Sequence, residues 1–123
     1  VTPVLWQRIE GGLVLAAALP LAGATQPGWP LWLWPIALLA PDLSMLGYLA
    51  GPRIGAAVYN VFHLYACGLL LALLGLLAGQ PPLIAAGAIW LAHIGGDRAL
   101  GYGLKSASGF RDTHLGRIGN DAG

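Results

Sequence analysis

Four long apolar runs constrain this chain more than any other feature. They cover about Leu5 to Ala24, Pro30 to Leu49, Ile54 to Ala78 and Leu83 to Leu104. Each is close to the ~20 residues that a helix needs to cross ~30 Å of hydrocarbon. A backbone in lipid must satisfy its own polar groups, and no alternating strand pattern is present, so the runs read as helices. The breaks GATQPG, AGPR and GQPP are short, which suits antiparallel neighbours. The expected fold is all-α: one four-helix transmembrane bundle over residues 1–123, with residues 105–123 as a polar tail.

Composition narrows the function classes. The chain is 57% hydrophobic and only 9% charged, against roughly a quarter charged in a soluble domain. Six scattered Lys and Arg residues and a net charge of +1 give no basic face for nucleic acid. Cys67 is the only cysteine, which excludes an internal disulfide and a thiolate metal cluster within one chain.

The basic residues also orient the bundle. Arg8, Arg53, Arg98, Lys105, Arg111 and Arg117 all fall at one side of it, while the first and third breaks carry no Lys or Arg. The positive-inside rule then puts both termini and the middle connection in the cytoplasm. Trp29, Trp32 and Trp34 sit where an outer aromatic belt belongs.

Against this apolar background a few polar groups stand out. Counting ~1.5 Å of rise per residue from the cytoplasmic ends puts His63 and His93 at a common depth near ~15 Å. Asp42, Asn60 and Asp97 fall near ~10 Å by the same count. Asn60 and His63 share one helix face, as do His93 and Asp97, because residues three and four apart are neighbours on a helix. Ionisable groups at this depth cost ~2.5 to 3.5 kcal/mol on insertion scales and normally face a bundle interior or a watery cavity. Pro41 would kink the second span just before Asp42, and Gly95 and Gly96 allow close backbone approach.

Imidazole and carboxylate ligands on facing helices suit zinc, iron or manganese. His63, His93 and Asp97 are the candidate ligands, joined by Asp112 and His114 if the tail folds back over the mouth of the bundle. Asp42 or Asp97 would serve as a base, and Asn60 would orient a water. This chemistry fits a hydrolase acting on a lipid-like substrate that enters from the bilayer. Two other readings use the same residues: interhelical glue in a non-catalytic subunit of a larger membrane complex, and a proton or ion carrier. Haem between His63 and His93 is disfavoured by the surrounding carboxylates. GPRIG offers Gly51 and Gly55 as a small-residue face for a homodimer.

The blocks PDLSMLGYLAGPRIGAAVYNVFHLY and WLAHIGGDRALGYGLK, with GFRDTHLGRIG after them, resemble the bacterial family known as domain of unknown function 4260. The resemblance runs from about Leu5 to Gly119. It implies a small multi-pass membrane protein and leaves the activity open; the expected location is the bacterial inner membrane.

Overall fold

Thr2 starts the first helix by accepting the Leu5 N–H on its hydroxyl at 3.2 Å, and Pro3 follows at a position where no N–H is needed. This helix, α1 (Pro3–Ala24), leads to α2 (Leu33–Leu39), which continues directly into a 3₁₀ helix (Ala40–Ala50). Next come α3 (Pro52–Phe62), α4 (Tyr65–Leu77) and α5 (Pro81–Leu100). This computed structural model describes residues 2–25, 28–106, 109–113 and 115–117.

The helices make four apolar rods: α1, α2 with the 3₁₀ segment, α3 with α4, and α5. The first three, Pro3–Ala24, Leu33–Ala50 and Pro52–Leu77, are long and apolar enough to cross a membrane. Pro81–Leu100 is not among them, because Pro81, Pro82, His93, Asp97 and Arg98 lower its hydropathy. It is the central rod instead, packed against α1, α4 and α2. Nine of its 20 residues are buried, against three of 22 in α1. Apolar side chains on the outer rods point away from it: Leu13, Leu49, Leu76 and Leu77 are each more than 60% exposed.

Small residues let α1 and α5 approach closely. A Cβ on Gly95 would meet the Gly11 carbonyl at 2.6 Å, and one on Gly11 would meet the Gly95 carbonyl at 2.7 Å. Gly55 is likewise pressed against the Tyr48 ring. Half of the expected Gly51/Gly55 dimer face is therefore used inside the chain.

Two features are finer than the sequence pattern. The third span is not one continuous helix, since it is broken at His63 and Leu64. The described residues of 105–123 also include short strands. Within them β1 (Lys105–Ser106), β2 (Gly109–Thr113) and β3 (Gly116–Arg117) form an antiparallel sheet in the order β1-β2-β3. Gly101, at φ 93°, ends α5 in the left-handed conformation and turns the chain toward this sheet. β1 and β2 then pack on α3.

Candidate metal centre

The break in the third span builds the site. In a continuous helix the Tyr59 carbonyl would accept the N–H of His63. Here that N–H goes to the Asn60 carbonyl at 3.0 Å, and the Tyr59 carbonyl accepts the His63 ring Nδ1–H at 2.8 Å. A broken helix in an apolar setting must find partners for its last carbonyls, and side chains supply them. Cys67 Sγ donates to Val61 O at 3.0 Å, Trp90 Nε1 to Phe62 O at 2.7 Å, and Arg98 to His63 O at 3.1 Å. Nδ1 thus carries the proton of neutral His63, and its Nε2 lone pair is turned inward.

Three further groups meet that nitrogen. His93 Nε2 lies 3.1 Å from His63 Nε2. Asp42 Oδ1, from the first turn of the 3₁₀ segment, is 3.2 Å from His63 Nε2 and 3.1 Å from His93 Nε2. Asp97 Oδ2 is 3.5 Å and 3.2 Å from the same two nitrogens. All four ligand atoms lie within 4.8 Å of one another. His63 and His93 are buried at 1% and 6% exposure, and Tyr59 stacks on His63 with ring centroids 3.7 Å apart. Asp42 is the most open of the four, with its side chain 36% exposed.

A tetrahedral ion with bonds of ~2.0 to 2.1 Å spaces its ligands about 3.3 to 3.4 Å apart. Five of the six edges here measure 3.1 to 3.5 Å. Two neutral imidazoles and two carboxylates also neutralise a divalent charge. In geometry and in donor set, the four residues could hold one such ion.

The remaining candidates sit elsewhere. Asn60 is not one of the four clustered residues, and its amide bonds to the sheet. Its Nδ2 donates to Lys105 O at 2.8 Å, and its Oδ1 accepts the Lys105 N–H at 2.6 Å. These two bonds fasten β1 to α3. Asp112 is described only as a β2 backbone position, paired with Arg117, and His114 falls outside the described residues.

Arg98 and Lys105, which no ligand pattern in the sequence marks, are both 5% exposed. Arg98 lies 5.7 Å from the Tyr65 ring centroid, and Lys105 Nζ lies 4.6 Å from that of Tyr59. Burial pushes the Lys105 ammonium's pKa below its ordinary value, against the opposing pull of Asp97 and Asp42. Trp90 and Cys67 were also missed. Their signal was faint, a lone polar atom on an apolar face.

Two cavities flank the centre. One, of about 300 Å³, is apolar and lined by Ala37, Ala40, Pro41, Phe62, Leu71, Ala86 and Trp90. The other, about 310 Å³, lies between Gln7, Glu10, Tyr65 and Arg98.

Fold and site together define a small helical protein of membrane character with a buried His₂Asp₂ cluster. Residues 4–118 match the family model described as a domain of unknown function (DUF4260), and the chain belongs to that family. No curated protein and no solved structure matches it.

Proposed function

We propose that Asp42, His63, His93 and Asp97 bind one divalent cation, zinc, iron or manganese, and that the protein is a metal-dependent hydrolase of a lipid-like substrate. The observation that carries this reading is the set of ligand separations, five of them near the edge length of a four-coordinate site. Charge supports it too. Two carboxylates close together in an apolar bundle repel each other and are costly to desolvate, and a divalent ion cancels both charges. We place the chain in the bacterial inner membrane as a single domain, both termini cytoplasmic, on the strength of its one-sided Lys and Arg distribution.

A bound ion of this kind acidifies a water and polarises a carbonyl or phosphoryl oxygen. The chain's own groups do the rest. His63 holds the site in register because its ring is anchored through the Tyr59 carbonyl. Asp42, the most exposed of the four, yields its corner of the site to a water and takes that water's proton. The water oxygen forms the new bond to the acyl or phosphoryl centre, the bond to the leaving oxygen breaks, and that proton passes on to the leaving group.

The test is hydrolysis of a short-chain acyl ester and of an alkyl phosphodiester by the full chain in neutral detergent. The expected result is activity that a chelator removes, added metal restores, and the folded His63→Ala/His93→Ala variant lacks. Equal hydrolysis by that variant would overturn the catalytic reading.

A further inference from the structure

His63 lies at a helix break, whereas His93 lies inside a continuous helix. Its ring therefore needs restraint from elsewhere. The bond from Nδ1 to the Tyr59 carbonyl, 2.8 Å long, holds one edge of the imidazole. It leaves the tilt open, because the outer torsion of a histidine side chain has only a broad minimum. Any tilt moves Nε2 relative to His93, Asp42 and Asp97, which stand 3.1 to 3.5 Å from it.

Tyr59 supplies the second restraint as well. It precedes His63 by one helical turn, and its ring stacks on the imidazole with centroids 3.7 Å apart and planes 11° apart. One buried residue thus holds the ligand by edge and by face. The tyrosine ring is engaged in turn from β1. Asn60, next to Tyr59 on α3, bonds both the N–H and the carbonyl of Lys105, and the Lys105 ammonium lies over the Tyr59 ring, 4.6 Å from its centroid. A cation within ~6 Å of a ring centroid is attracted by the face of the ring, most strongly when both are shielded from water. Lys105 and Tyr59 are both buried.

We propose that Tyr59 and Lys105 are positioning residues of the metal centre, a series of cation, ring and imidazole that fixes the plane of His63 and so sets how tightly the site holds its ion. The proposal rests on the metal reading above and adds to it two residues that give no ligand atom. It also ties the small sheet to the centre, since Lys105 arrives on β1. By charge alone Lys105 opposes a divalent ion, because it also interacts with Asp97 and Asp42. A double-mutant cycle with Tyr59 cancels that direct effect and leaves the part that runs through the ring.

The experiment titrates zinc against a metallochromic competitor, using the full chain stripped of metal in neutral detergent, and records the visible spectrum after cobalt(II) loading. Tyr59→Leu keeps the carbonyl and loses the ring. It should weaken zinc binding by roughly 10–100-fold, the range for loss of an outer partner, and shift the cobalt bands. Tyr59→Phe keeps both and should match the native chain. Lys105→Met should cost roughly 3–30-fold more zinc affinity with Tyr59 in place than beside Tyr59→Leu, the span of cation–π strengths. Lys105→Arg should restore the native spectrum.

Additive effects of the two substitutions would overturn the part given to the lysine. Native affinity and spectrum in folded Tyr59→Leu would overturn the part given to the tyrosine, and an equal loss in Tyr59→Phe would move the effect to the hydroxyl and overturn the stack. Where Tyr59→Leu does not fold, Lys105→Met decides: a shifted cobalt spectrum that Lys105→Arg restores supports the series, and an unshifted one overturns it. A native chain that takes up neither zinc nor cobalt removes the metal reading beneath. Uptake that no variant alters removes this proposal alone.

Discussion

His63 joins the helix break to the cluster through its two ring nitrogens. Nδ1 takes the carbonyl that the helix gave up, and Nε2 faces three ligands at 3.1 to 3.5 Å. Removing it should cost metal affinity beyond the 10–100-fold that loss of an outer partner costs, and titration of His63→Ala with a metallochromic competitor measures this. Arg98 acts on the same residue from outside by holding its carbonyl. Arg98→Met should lower stability by about 1.5 to 3 kcal/mol, the range for a hydrogen bond to a charged group. Detergent unfolding curves measure it, and an unchanged midpoint would show that the carbonyl finds another donor. Asn60→Ala should remove two bonds to Lys105 and loosen β1, at about 1 to 3 kcal/mol, with metal content intact. Proteolysis of the 105–117 segment reads the loosening. Metal loss in Asn60→Ala would return Asn60 to the site.

At the level of elements, α5 is the rod on which the rest converges. Its low hydropathy follows from its place, since a helix surrounded by protein carries the polar residues that its neighbours cannot. Close contact at Gly11 and Gly95 makes this packing intolerant of volume. Gly95→Leu should destabilise the bundle by at least about 1 to 3 kcal/mol, the usual cost of overpacking, and appear as aggregation in size-exclusion chromatography. Gly96→Leu, where a Cβ meets nothing within 4 Å, should remain monodisperse. The four rods were legible in the sequence because apolar length is a local property. So was the depth match of His63 and His93, since helical rise is constant, and so was the His93–Asp97 pair at i, i+4. The break after Phe62 was not. The stretch NVFHLYACG contains no proline and its glycine comes too late, and the interruption is held by Trp90 and Arg98 from a distant rod. The 3₁₀ stretch of 11 residues was only half legible: Pro41 foretold a disturbance before Asp42, but not that tighter winding would persist to Ala50. The small sheet escaped notice because strands of two to five residues leave no periodicity to read.

On the scale of the whole molecule, the proposed cation explains why an apolar bundle keeps two carboxylates and two imidazoles together. Without the ion, two carboxylates and two imidazoles crowd together inside an apolar bundle, at a cost in desolvation. With it, the cluster is neutral and its ligand spacing is relaxed. Metal binding to the folded state alone should therefore raise thermal stability by mass action, about 2.7 kcal/mol at a hundredfold excess over Kd. The most direct measurement is elemental analysis of the detergent-purified chain, prepared without chelators and reloaded, beside a folded His63→Ala/His93→Ala variant. One equivalent of zinc, iron or manganese per chain, lost in the variant, is the result the account predicts. A chain that stays empty after reloading, or that binds equally without its histidines, would contradict it.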